Sequence, residues 1–237
     1  MKKINKYLIL IILIIITSNV FGQKFKKPQN LPRYDFQKLH FGFTLGINSL
    51  NFNVKKNSDF LANDTLLQLY SRSQKGFNLG IVSNLRIGKY TDLRFVPTLV
   101  FGERYISYGF LDTISSTNQS IKRIESTLID FPFYIKYKSE RYNNFRTYVL
   151  GGFKYSYDIA SKDEIDDEGK QIVKLKKHDL MGEIGFGIDF YLEFFKFSPQ
   201  IKINYGILNL ISNDNTLYTN SINRLSTNGW MLSFTFE

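Results

Sequence analysis

The sequence predicts an all-β fold: an eight-stranded antiparallel up-and-down transmembrane β-barrel with long external loops. Three observations lead there. Large apolar residues recur at every second position in eight segments, the period of an extended strand whose side chains leave opposite faces. The alternate row carries glycines, amides and full charges. Eight rows rich in Phe and Ile would overfill the interior of a small soluble barrel, whereas turned outward they meet lipid. The connections alternate short and long, which sends tight turns to one end of the barrel and long loops to the other.

Residues 1–22 read as a secretory signal peptide. Lys2, Lys3 and Lys6 form a basic n-region, Leu8 to Ile16 is an unbroken run of Leu and Ile, and Val20 and Gly22 fit a small-residue cleavage site before Gln23. The run falls well short of the roughly 20 residues a spanning helix needs, and no Cys follows it, which excludes a lipoprotein signal. Residues 23–38, basic and holding Pro28 and Pro32, read as an extended, flexible periplasmic lead-in. Residues 39–237 form the barrel. No later segment is long and apolar enough for a membrane helix, so any membrane crossing is by a closed ring of strands.

The first strand is "HFGFTLGIN", with Phe41, Phe43, Leu45 and Ile47 opposite Gly42, Thr44, Gly46 and Asn48. "GFNLGIVSNLRIG" and "DLRFVPTLVFGERY" follow, then "LIDFPFYIKYK", "RTYVLGGFKYSYD", "LMGEIGFGIDFYL", "FSPQIKINYGI" and "WMLSFTFE". Pro97, Pro132 and Pro199 each remove a ladder donor, and bulges are expected there. Tight connections fall around Lys89–Thr91, Ser139–Asn144 and Glu193–Lys196; long ones span Leu50–Lys75, Ser107–Arg123, Ile159–His178 and Asn209–Asn228. Tyr90, Tyr105, Tyr137, Tyr148, Tyr155, Tyr157 and Tyr191 sit near strand ends, where interfacial aromatic girdles form. The closing "SFTFE" resembles the aromatic terminal strand that outer-membrane insertion machinery reads, and the expected location is the outer membrane.

Composition narrows the functions. With no cysteine, thiol and Cys-zinc chemistry are excluded. Loss of residues 1–22 removes three lysines from a net +10, leaving +7 scattered along the chain. That excess reads as affinity for anionic lipid head groups or an acidic partner, and no nucleic-acid footprint is present. Its two histidines, His40 and His178, fall at opposite ends of the barrel, so a lipid-modifying His site is not expected and the protein reads as no enzyme. "KDEIDDEGK" lacks EF-hand spacing and reads as a solvated loop. Neither a Gly-rich phosphate loop nor a metal, cofactor or small-molecule substrate site is expected.

Two groups of residues stand out. Arg86, Arg94, Arg104, Asp130, Lys136, Glu183, Asp189 and Lys202, with Lys154 beside them, share the polar parity; charges facing a filled lumen must be paired, so these read as a structural ion-pair network. In the first long loop, Phe60, Leu61, Leu66, Leu67, Leu69 and Tyr70 are too apolar for a bare surface tip. They either fold over the barrel mouth or dock a partner.

The stretches "LPRYDFQKLHFGFTLGIN", "GFNLGIVSNLRIGKYTDLRFVPTLVFGERY", "IESTLIDFPFYIKYKSERYNNFRTYVLGGFKYSYDIAS" and "SINRLSTNGWMLSFTFE", in that order, are similar to the PorT family of the type IX secretion system of Bacteroidetes. The similarity runs from Leu31 to Glu237. It implies an outer-membrane barrel required for cargo secretion, and for motility in gliding species, whose partners are outer-membrane lipid, lipopolysaccharide and other secretion components. It implies no catalytic residues. An eight-stranded barrel has an interior that side chains fill, so the expected role is accessory, assembly or scaffolding rather than conduit.

Overall fold

The computed structural model describes residues 28–57, 66–111, 117–161, 175–212, 219 and 221–237. Residues 1–22, Phe60, Leu61, the "KDEIDDEGK" segment and the side chains of Leu66 and Leu67 lie outside what is described. Among the described residues nine strands run in chain order: β1 Leu39–Lys56, β2 Leu66–Arg86, β3 Thr91–Phe95, β4 Thr98–Leu111, β5 Thr117–Lys138, β6 Phe145–Asp158, β7 His178–Tyr191, β8 Lys196–Gly206 and β9 Ile222–Phe236. Each pairs antiparallel with its neighbours, and β1 pairs with both β2 and β9, so the sheet closes on itself. β3 and β4 are the two halves of a single barrel strand interrupted at Val96–Pro97, which leaves eight staves in the ring.

The register can be followed around the wall. Leu39 faces Leu85, then Leu93, Ile135, Gly151, Ile184, Ile203 and Trp230, and Trp230 faces Ser49, ten residues along from the start. A stagger of that size over eight strands about 4.8 Å apart, at about 3.3 Å rise per residue, tilts the strands by about 40°. At that tilt the 11 residues of β8 reach about 28 Å along the axis and the 22 residues of β5 about 55 Å. β8 therefore just spans an apolar band about 25 Å tall, while β5, with β2 and β4, stands well above it.

That tall wall corrects the expected loops. Much of Leu50–Lys75 and Ser107–Arg123 is strand: β1 runs on to Lys56, β2 begins at Leu66, β4 ends at Leu111 and β5 begins at Thr117. Beyond the bilayer neither face needs to be apolar, so the two-residue period fades although the ladder continues.

The prolines also act differently from expectation. The β3–β4 break opposes Phe131 and Pro132 on β5, and the register is the same on both sides of it. Pro97 and Pro132 both fall in the break and remove donors without inserting a residue, so this is a gap in the ladder and not a bulge. At Pro199 the β7–β8 pairing likewise lapses between Gly187–Gln200 and Phe190–Phe197 without a shift, while β9 still pairs there. Register shifts fall instead near Lys55 and along β2, between Leu66 and Gln68 and between Ser73 and Phe77.

The faces are inverted relative to a soluble barrel. Ile184 is 67% and Phe41 65% exposed, whereas Lys136 and Asp189 are 0%. Tyr90, Tyr137 and Tyr155 stand outward, as an interfacial girdle requires. Tyr148 and Tyr191 do not: both are buried inside, because their parity in β6 and β7 is that of Arg146 and Asp189.

Candidate functional site: the filled lumen and its short-turn mouth

Bonds cross the lumen at successive depths from the short-turn end. Lys136 on β5 reaches both carboxylate oxygens of Asp189 on β7, at 3.0 and 2.9 Å. Asp189 also accepts from Arg146 Nε at 3.0 Å and Ser198 at 2.7 Å. Arg94 on β3 pairs with Glu237 beyond β9, and Lys196 joins the same carboxylate at 2.6 Å. Lys138 meets Asp92 at 2.6 Å, with Asn84 donating to the other oxygen.

Deeper in, Lys154 bridges Asp130 at 3.1 Å and Glu183 at 3.0 Å. Glu183 further accepts from Tyr134 at 2.6 Å and faces Lys202 at 3.0 Å, and Ser156 donates to Asp130. Next comes an apolar layer of Leu50, Val100, Leu128 and Met231. Beyond it Arg104 lies over the Phe52 ring, donates to Ser126 and Thr227, and faces Asp158 at 3.9 Å. The long-loop end is closed by a hydrophobic cluster in which Leu175, Leu210 and Ile211 from the connections pack on Phe52, Leu69 and Leu225. Leu69 thus lies inward within this cluster, and Tyr70 beside it is exposed.

Seven of the eight sequence-selected charges meet an opposite charge within the lumen. Arg86 stands at the lip, and its guanidinium donates to the backbone carbonyls of Asp35 and Gly88 rather than to a carboxylate. Sequence reading passed over Asp92 and Lys138, although they share the parity of Arg94 and Lys136, and it passed over Lys196. Glu237, one residue past β9, continues the inward row of Met231, Ser233 and Thr235 and was also passed over, whereas Asp35 lies outside the strands, where periodicity carries no signal.

The mouth itself is strapped. Residues 28–38, expected to be extended and flexible, cross it and fold into a 3₁₀ turn at Tyr34–Phe36. The turn is set by a Leu31 with φ of 50° and by Tyr34 N–H donating to Leu31 O at 3.1 Å. Tyr34 stacks on His40 with centroids 4.0 Å apart and donates to Glu237 at 2.8 Å. The Asp35 carboxylate accepts from Arg146 at 2.9 Å and Tyr191 at 3.0 Å and faces Arg141 at 3.6 Å. Burial pushes the Asp35 carboxyl upward, but Arg146, the Tyr191 hydroxyl and Arg141 outweigh it and hold the group below the usual carboxylate range. Asn30 adds bonds to Asn144 at 2.9 Å and to the Tyr191 carbonyl at 3.0 Å.

His40 stacks within this mouth, and His178 begins β7 at the opposite end, bonded to the Tyr155 hydroxyl at 2.6 Å. The pairing of the lumen acids limits their chemistry. Asp130, Glu183 and Asp189 each face buried cations and accept from a hydroxyl, an arrangement that braces the wall.

A closed antiparallel ring with a greasy outside and a cross-braced polar inside defines a transmembrane β-barrel. Residues 21–212 match the family described as outer membrane protein beta-barrel domain, and the chain belongs to that family of outer-membrane proteins. The match stops short of β9, the strand that completes the ring. Among solved structures the chain is similar to Neisserial surface protein A, with 13% identity, 84% of this chain and 98% of that one covered, and a TM-score of 0.43. It is also similar to OprG of Pseudomonas aeruginosa, with 12% identity, coverage of 82% and 93%, and a TM-score of 0.40. The N-terminal barrel domain of Pseudomonas aeruginosa OprF gives 13% identity, coverage of 81% and 97%, and a TM-score of 0.34. No curated protein matches the chain.

Proposed function

We propose that this outer-membrane barrel is a non-enzymatic component of the type IX protein secretion apparatus, delivered by a cleaved signal peptide and serving an accessory, assembly or scaffolding role. In gliding species motility would depend on it as well. The observation that carries the role is the lumen, crossed by ion pairs from Asp189 to Asp158 and closed by an apolar cluster, which argues against a conduit for folded cargo. The assignment to type IX secretion rests on the ordered resemblance from Leu31 to Glu237. Its partners on this reading are outer-membrane lipid and lipopolysaccharide together with other secretion components. The test is a deletion strain: cargo should accumulate in the periplasm and return to the medium on complementation. Normal secretion in that strain would refute the reading, and altered lipid A or phospholipid with secretion intact would point to an enzyme.

A second reading is a general surface barrel, an adhesin or envelope stabiliser. It draws on the wall formed by β2, β4 and β5, which presents side chains such as Tyr70, Ile121 and Arg123 beyond the bilayer. It predicts changed adhesion or envelope integrity in the deletion strain with secretion unaffected.

A further inference from the structure

The short-turn mouth holds a pocket of about 270 Å³ that no braced pair fills. Five cations line it, Arg86, Lys89, Lys138, Arg141 and Arg146, against two acids, Asp35 and Glu140. Two of the cations are committed to acids deeper in the lumen, Lys138 to Asp92 and Arg146 to Asp189. Lys89 pairs with Glu140 at 3.0 Å on an exposed turn. That leaves Arg86 and Arg141. Arg86 spends its bonds on the carbonyls of Asp35 and Gly88. Arg141 bonds the Asn30 and Asn143 carbonyls and Asn144, and reaches a carboxylate only at 3.6 Å. Each guanidinium has five N–H donors in a planar fork suited to a carboxylate, and carbonyls satisfy some of those donors without neutralising the charge.

The chemistry of the site is displayed by the strap itself. Asp35 occupies one wall as a carboxylate taken up by Arg146, Arg141 and the Tyr191 hydroxyl. The rest of the pocket lining beside it includes Arg86, Arg141 and the Lys89–Glu140 pair.

We infer that this pocket binds the carboxylate side chains of an acidic peptide segment presented by a periplasmic partner protein. The excess of five cations over two acids makes the lining complementary to carboxylates. Short turns face the periplasm in outer-membrane barrels, so the pocket opens toward periplasmic proteins. The inference rests on the outer-membrane barrel and stands whether or not the type IX reading does.

The test uses the full chain purified in detergent micelles. An end-capped tetrapeptide of Glu and Asp carrying a neutral dye is titrated by fluorescence anisotropy against its Gln and Asn counterpart. Saturable binding of the acidic peptide alone, weakening from low to high salt, is expected. Arg86→Gln should weaken it by roughly tenfold, the loss of one charge-assisted contact. Lys89→Gln, which removes an exposed ammonium and leaves its partner Glu140 as an unopposed acid in the lining, should weaken it by about threefold. Folding of each variant is checked by heat-modifiable migration. Equal binding of the two peptides, no binding of either, or full affinity in both variants overturns the inference. So does a soluble muropeptide that displaces the dye-labelled peptide better than the unlabelled acidic peptide does, since the site would then read cell wall. Secretion assays are not involved, so failure here leaves the proposed function to its own test.

Discussion

Lys154 is the keystone of the lumen, and its removal has a calculable consequence. Its side chain is 2% exposed, and the ammonium lies 3.1 Å from Asp130 and 3.0 Å from Glu183. Lys154→Met preserves the stem and deletes the charge. Removing one partner of a buried pair destabilises by about 3–5 kcal/mol, because a charge is left without its counterion. The strain does not fall evenly. Glu183 keeps Lys202 and the Tyr134 hydroxyl, whereas among the described residues Asp130 keeps Ser156 alone. Adding Asp130→Asn should therefore recover about 2 kcal/mol, the coupling expected of residues sharing one network. Urea unfolding in micelles, followed by the single tryptophan, measures both changes. Trp230 suits the purpose, since it stands on β9 between Ser49 and Ile203, at the seam that closes the ring. If Lys154→Met loses less than about 1 kcal/mol and Asp130→Asn deepens the loss, the lumen is wet enough to solvate the acids and the bracing argument is wrong.

Three more outcomes follow from the same geometry. A Cβ at Gly152 would lie 1.9 Å from the Phe133 carbonyl oxygen, whereas one at Gly182 meets nothing within 4 Å; Gly152→Ala should lower refolding yield sharply and Gly182→Ala should leave it unchanged, read by heat-modifiable migration. Because Asp35 is held below the usual carboxylate range, its contribution to the strap is complete above about pH 4 and is lost as pH falls through the lowered value. The protection factors of residues 30–38, exchange rates taken relative to the intrinsic rate at each pH, should fall in acid, and in Asp35→Asn they should be low throughout; wild-type protection independent of pH would count against the strap's electrostatic anchor. In planar bilayers the protein should give little or no steady conductance, and porin-sized steps would refute a filled lumen.

Legibility in the sequence followed the bilayer. Where one face meets lipid, alternation is forced, and Phe41 to Ile47 or Phe186 to Phe190 disclose both strand and orientation. Seven of the selected charges, Arg94 to Lys202, could be assigned to the lumen by parity alone, because a one-residue shift would place them in hydrocarbon. Their particular partners could not. Lys154 bridging β5 and β7, or Arg94 reaching Glu237, depends on stagger and tilt, which no local window encodes. The upper halves of β2, β4 and β5 escaped because water accepts either face. The strap escaped because Asp35 is anchored by Arg146 on β6 and Tyr191 on β7, and Tyr34 by Glu237, all far along the chain.

The filled interior also constrains where any partner can act. The outer surface between the rims is matched to lipid, and the lumen charges are matched to one another, so neither has much recognition capacity left over. Unused capacity is found at the ends. At one end, Arg86 carries charge that carbonyls bond without cancelling, and Arg141 reaches a carboxylate only at 3.6 Å. At the other, a wall of three long strands rises about 25–30 Å above the shortest stave. A barrel braced so heavily at its centre holds those two ends in fixed relation to each other and to the membrane plane. That is what a scaffold across the outer membrane requires, and a pore would instead need the cross-lumen pairs of Lys136, Lys154 and Arg104 to separate.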